Sequence, residues 1–173
     1  MKGEECRVST ETLSINDQLL LEKCRDIEIQ CRDLYTFFAE LYTEDLNIVR
    51  LWRKTAMEEQ NHADQFTLAL KLKKGLSCLV SIDKAKVDSI LSQLRTVTEQ
   101  VKKTPPKLED ALLASIKLEK YIAEFHLSCV VCFENASFKG LFNAMMSSDQ
   151  GHLEALQAAY DKLTGTQDWT FVS

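Results

Sequence analysis

The segment Glu59-Gln-Asn-His62, read beside its counterpart Asp149-Gln-Gly-His152, decides the fold. A carboxylate and an imidazole three residues apart on a helix stand about 60° from each other around its axis, so both can reach one metal centre. Both pairs sit in apolar surroundings. His62 belongs to a stripe at helical spacing through Ile48, Leu51, Thr55, Phe66 and Ala69, and His152 to one through Leu141, Met145, Leu156, Ala159 and Leu163. Such stripes are the core-facing surfaces of amphipathic helices. If the pairs are ligands, two further helices must bring carboxylates to the same depth. Glu28 meets that requirement among Leu21, Cys24, Cys31, Tyr35 and Tyr42, and Glu119 meets it among Leu112, Ile116, Ile122, Ala123, His126 and Val130.

The rest of the chain is compatible with four such helices. Five glycines and two prolines in 173 residues leave few turns, so the elements are long and the fold class is all-α. Ser14 and Asn16 offer N-caps, Thr43-Glu-Asp45 and Gly75 interrupt the first half, and Thr104-Pro-Pro106, the stretch Asn135 to Gly140, and Gly165 divide the second. These signals place helices at about 15–42, 44–74, 84–103, 107–134 and 137–164 within a single domain, 1–173. The helix at 84–103 carries Val87, Ile90, Leu91, Leu94 and Val97 at spacings of three and four. At 1.5 Å per residue it spans about 30 Å, enough to travel the length of a bundle. A four-helix bundle with one long helical crossover between its second and third helices has the connectivity of ferritin-like proteins.

Composition narrows the function classes. Hydrophobic residues at 45% with charged residues at 27% exclude a disordered or fibrous chain. A net charge of −5 provides no basic footprint for nucleic acid. The longest stretches without a charged residue, Phe125 to Phe133 and Gly140 to Ser148, fall far short of the roughly 20 residues that cross a bilayer. The start, Met1-Lys-Gly-Glu-Glu-Cys-Arg7, lacks the apolar run of a signal peptide, so a cytoplasmic protein with no membrane and no nucleic-acid partner is expected. In that compartment the six cysteines are expected to be thiols or metal ligands rather than a disulfide framework. Only Cys129 and Cys132 form a Cys-x-x-Cys pair, too little for a four-cysteine metal site.

The two halves of the chain repeat one another. Glu28 and Glu59 are 31 residues apart and Glu119 and Asp149 are 30 apart, while Tyr35 and His126 each follow the first carboxylate of their half by seven residues. Buried acids on four facing stripes are costly as mere packing, which favours metal binding over a metal-free hydrogen-bonded cluster. Mixed carboxylate and imidazole donors suit iron, manganese or zinc.

Glu28-Ile-Gln-Cys-Arg-Asp-Leu-Tyr35-Thr-Phe-Phe, Glu59-Gln-Asn-His62-Ala, Leu118-Glu119-Lys-Tyr and Asp149-Gln-Gly-His152 together resemble the ligand pattern of the rubrerythrin branch of the ferritin-like di-iron carboxylate superfamily, over about residues 15 to 165. The resemblance implies two iron ions, with manganese or zinc possible in their place. It makes Glu28 and Glu119 terminal ligands, Glu59 and Asp149 bridging ones, and His62 and His152 one imidazole per metal. It also implies reaction with dioxygen or hydrogen peroxide. Three features depart from the family: Asp149 stands where Glu is usual, Ile122 stands where rubrerythrins carry an additional carboxylate, and the rubredoxin module is missing.

The function expected is an oxidoreductase that oxidises iron(II) or reduces dioxygen or peroxide with an external electron donor. The alternatives are a di-manganese catalase-like enzyme and a metal-storing, metal-sensing or interaction bundle without turnover. Tyr35 is read as a core aromatic whose hydroxyl bonds a ligand. His126 is open among a donor to a ligand, a third imidazole ligand and a satisfied core histidine. Glu58 falls off the stripe and is expected in solvent, Cys24 and Cys31 are read as buried small residues too far apart to pair, and Met145-Met146 as packing. The apolar end, Trp169-Thr-Phe-Val-Ser173, fits docking on the bundle or on a neighbour, hence a possible homodimer.

Overall fold

The structure, a computed structural model, describes residues 14–72, 83–131 and 136–165, with the side chains of 127–131 and 136–138 excepted. Cys129, Val130, Cys132, Gly75 and the Trp169 to Ser173 segment therefore lie outside the described residues or side chains. Within them the chain is all-helical, with no strand: α1 (Ile15–Leu41), α2 (Leu46–Leu72), α3 (Lys84–Lys103), α4 (Leu108–Val131) and α5 (Ala136–Thr164).

Local chemistry sets the ends. The Ser14 hydroxyl accepts the Asp17 amide at 3.1 Å at the start of α1, and Asn16 lies inside the helix. The start expected at 44 moves to Leu46, because Asp45 is the residue that caps α2: its carboxylate accepts the Asn47 amide at 2.8 Å and its carbonyl accepts that of Val49 at 2.9 Å. Asp83 caps α3 through the amides of Ala85 and Lys86. Helix α5 runs through Gly140 and stops at Gly165, whose φ of 70° is the left-handed conformation that glycine adopts without a Cβ clash.

Contacts fix the directions. Early α1 meets late α2, with Glu28 beside His62, and late α1 meets early α2, with Phe38 and Trp52 rings 5.0 Å apart, so the two are antiparallel. Lys23 pairs with Asp88 near the start of α3, and the Tyr42 hydroxyl donates to the Pro106 carbonyl beyond its end, so α3 runs alongside and parallel to α1. Helix α4 is antiparallel to α1, through His126 with Glu28 and Tyr35 with Glu119. The crossover thus sets α4 parallel to α2.

The core joins Leu21, Ile27, Phe38, Trp52, Phe66, Phe125, Phe142 and Leu156, all fully buried. At about 1.5–3 kcal/mol for each large apolar side chain, this packing can tolerate a polar centre. Val87, Ile90, Leu91 and Leu94 face it from α3, whereas Val97 is 41% exposed and Leu163, at the end of α5, is 49% exposed. No helix among the described residues is long and apolar enough to cross a membrane.

Candidate metal centre

Four helices each bring one carboxylate to the middle of the core, and two of them add an imidazole one turn on. Glu28 (α1), Glu59 and His62 (α2), Glu119 (α4), and Asp149 and His152 (α5) are all at most 2% exposed. The i, i+3 spacing on α2 sets His62 Nδ1 3.1 Å from Glu59 Oε2.

Five of these donors fall into two groups that share one residue, and the sixth, Asp149, groups with His62 and His126. Glu28, Glu59 and His62 form the first, and Glu59, Glu119 and His152 the second. The Glu59 carboxylate divides between them: Oε2 faces His62 Nδ1 at 3.1 Å, and Oε1 faces His152 Nδ1 at 3.2 Å. His62 Nδ1 stands 3.5 Å from Glu28 Oε2, and His152 Nδ1 stands 3.4 Å from Glu119 Oε2. Donor atoms about 2.1 Å from a common cation lie roughly 3.0 to 3.4 Å from one another, so these groups are spaced as ones that could hold metal ions.

Hydrogen bonding identifies the same interior. Glu28 Oε2, Glu59 Oε1, Glu119 Oε2, Asp149 Oδ1 and His152 Nδ1 are buried and have no hydrogen-bond partner. Five unpaired polar atoms in one small space, four of them carboxylate oxygens, are more than a protein core usually leaves without partners. Their partner atoms are all engaged. Glu28 Oε1 accepts from His126 Nε2 at 2.9 Å, Asp149 Oδ2 accepts from His126 Nδ1 at 2.7 Å, and Glu119 Oε1 accepts from the Tyr35 hydroxyl. Glu28 and Glu119 therefore each turn one oxygen inward and have the other held by a donor.

The protonation of the cluster follows from this crowding. Burial works against ionisation of Glu28, but the imidazoliums of His126 and His62 outweigh it and hold the carboxyl at about 2. Burial would discharge the histidines; their carboxylate partners instead raise His62 to about 9, His152 to about 11 and His126 well above its usual range. Glu119 rises to about 7, because burial and the charge of Glu59 exceed the help of His152 and Tyr35. Burial, then the charge of Glu119, keeps the Tyr35 phenol protonated far above 10. Protons thus stand in for positive charge, and cations would displace them from His62 and His152.

The structure brings together all six expected ligands and both helper residues. Tyr35 is the core aromatic bonded to a ligand, stacked on Trp52 at 5.5 Å. His126 uses both ring nitrogens on ligand carboxylates, although it also stands with His62 and Asp149 in a third group of donors. Cys24 and Cys31 are buried free thiols, and Met145 is core packing. Glu58 corrects the expectation of a solvated side chain: its Oε2 accepts His152 Nε2 at 2.7 Å while Lys54 lies 3.7 Å from Oε1. If His152 Nδ1 faces a cation, such a carboxylate would keep the proton on Nε2. Its partner lies on another helix, so periodicity along α2 could not reveal it.

The chain matches no protein-family model, no curated protein and no solved structure.

Proposed function

We propose that this chain is a ferritin-like di-iron carboxylate protein, an oxidoreductase that oxidises iron(II) or reduces dioxygen or hydrogen peroxide with electrons from an external donor. The observation that carries this reading is the division of the Glu59 carboxylate, one oxygen to each of two carboxylate–imidazole clusters. The rubrerythrin-like ligand pattern and the course of α3 between α2 and α4 support the same assignment.

The orphaned inward-facing atoms fit a pair of divalent cations. Glu28, His62 and Glu59 would hold one, and Glu59, Glu119 and His152 the other. Bound, an iron pair supplies two one-electron changes side by side, matching the two-electron demand of oxygen and peroxide reduction. The protein's own contribution is to preorganise and shield. Tyr35 and His126 hold the outer oxygens of Glu119 and Glu28, and Glu58 holds the outer nitrogen of His152. Phe66 and Phe125 pack against the His126 ring at 6.4 and 5.5 Å, and Phe142 closes on Phe66 at 5.0 Å, which excludes bulk water from that side. Ile122, buried at the place of the extra carboxylate of rubrerythrins, offers no proton carrier there, so no selectivity for peroxide over dioxygen is built in.

The test is anaerobic loading with iron(II) followed by mixing with oxygen or peroxide in the presence of a reductant. Two irons per chain and repeated turnover are expected. Oxidation that stops after one equivalent of bound iron would assign the centre to storage, and failure to bind iron in a folded protein would remove the reading altogether.

A further inference from the structure

We propose that the apolar groove between α3 and α4 binds one free fatty acid, its chain lying along the groove toward Pro106 and its carboxylate held at Lys86. This is a second site and does not rest on the di-metal reading: none of the residues that line it is a donor of the buried carboxylate–imidazole centre.

The groove has a volume of about 320 Å³ and lies where α1, α3 and α4 meet. Leu34 and Phe38 of α1, both 2% exposed, form its floor, and Ile90 and Val97 of α3 and Ala111 and Ala114 of α4 line its sides. The two alanines leave open the space that larger side chains would fill. A packed core keeps few voids larger than a water molecule, whereas small-molecule pockets begin at roughly 300 Å³, so this groove is of ligand size. Its shape narrows the choice of ligand. From Ile90 to Val101 it follows eleven residues of α3, about 17 Å at 1.5 Å per residue. A partner's helix, about 10–12 Å across with its side chains, is too wide for a space of about 320 Å³ drawn out over that length. A single unbranched hydrocarbon chain is not.

Charge fixes the head and its direction. Lys86 continues the stripe of Ile90, Gln93 and Val97 along α3 at spacings of four, three and four, and its ammonium stands 5.2 Å from the centroid of the Tyr121 ring, which lines the groove. The side chain is half-buried and, among the described residues, pairs with no carboxylate. At the opposite end the groove is bordered by Asp110, an exposed acid. An anionic head is therefore attracted at Lys86 and repelled at Asp110. A half-buried ammonium also gains more from a counter-ion than a carboxylate in open water does, which favours a carboxylate at Lys86 over an amine at Asp110.

Titration calorimetry of the full chain, metal-free, with dodecanoate below the concentration at which it forms micelles tests the proposal. Wild type should bind one dodecanoate per chain, decanoate about fifteenfold more weakly because each buried methylene is worth about fourfold, and dodecyltrimethylammonium at least tenfold more weakly. Lys86→Gln should weaken dodecanoate about tenfold without weakening the cationic amphiphile, and Lys86→Arg should retain binding. Ala114→Trp, which blocks the groove from an exposed position of α4, should abolish binding of both; if that variant does not fold, the Lys86 pair decides. Equal affinity for the two amphiphiles, or dodecanoate binding that survives Lys86→Gln and Ala114→Trp unchanged, would overturn the proposal. So would absence of binding by folded wild type. Binding that then emerges in Trp169→Ser/Phe171→Ser would give the groove to the chain's own end, and self-association in place of binding would give it to a second copy.

Discussion

In the half of the centre built on Glu28 and His62 the outer oxygen of the glutamate is held by an imidazole, and in the half built on Glu119 and His152 it is held by a phenol. Tyr35 follows Glu28 and His126 follows Glu119 by seven residues, yet each bonds the glutamate of the other half: Tyr35 of α1 reaches Glu119, and His126 of α4 reaches Glu28. The halves are locked crosswise. The charge of the helper is one of the differences between them. An imidazolium neutralises the carboxylate it holds, and Glu28 sits at about 2; a phenol only donates a hydrogen bond, and Glu119, beside the charge of Glu59, sits at about 7. Two chemically identical side chains at matching positions thus differ in proton affinity because His126 and His62 outweigh burial at Glu28, whereas burial and the charge of Glu59 prevail at Glu119.

Breaking the shared element should have the largest effect. Glu59→Gln removes the charge that both halves use, so the metal-induced gain in stability should vanish. In wild type that gain is about 2.7 kcal/mol at a hundredfold excess of metal over Kd, roughly 5 to 10 °C in melting midpoint for a chain of this size. Calorimetric melting with and without manganese(II) reads it; equal shifts in both proteins would place the metal elsewhere.

Next in size is the effect of pH on the same shift. The raised values of His62 and His152 add stability to the metal-free protein that is complete below about 6.5, the unfolded value, and is lost as pH climbs through about 9 and about 11. Glu119, raised to about 7, becomes an added cost over the interval from about 4.5 to 7 as its proton is lost. Glu28 acts oppositely, with stability present above about 4.5 and lost as pH falls toward about 2. The metal-free form should therefore be most stable between about pH 4.5 and 6.5, and the metal-induced rise in melting midpoint should widen from pH 6.5 to 9. A rise that stays flat or shrinks over that interval would contradict the assignment of protons as placeholders for cations.

Tyr35→Phe keeps the ring on Trp52 and deletes only the hydroxyl, leaving Glu119 Oε1 without its donor. The cost should be about 1–3 kcal/mol in the metal-free protein, measured by denaturant unfolding, with weaker metal binding confined to the Glu119 half. If binding by the Glu28 half suffers instead, the crosswise arrangement is wrong. Smallest should be Glu58→Gln, which weakens the support of His152 Nε2 at a partly exposed side chain and should loosen the second metal by about tenfold or less.

Much of this was legible in the chain because helical periodicity is a local property. Acids recurring inside apolar stripes marked Glu28, Glu59, Glu119 and Asp149, and the three-residue spacing marked His62 and His152. The seven-residue offset flagged Tyr35 and His126 without saying which carboxylate each would hold, since that depends on α1 lying antiparallel to α4. Glu58 was hidden for the same reason, its partner His152 lying 94 residues away. Asp149 shows the limit most clearly. The family resemblance implied a bridge there despite the shorter side chain, and only the tertiary contact shows that one Asp149 oxygen accepts from His126.

The central claim is that two cations share Glu59. Electron paramagnetic resonance of the protein loaded with two equivalents of manganese(II) tests it most directly, because ions joined by one carboxylate are exchange-coupled whereas separated ions are not. Wild type should bind two manganese ions per chain with a coupled spectrum, and Glu59→Gln should lose that spectrum. Two ions with the signal of isolated manganese, or a coupled signal that survives Glu59→Gln, would contradict the account.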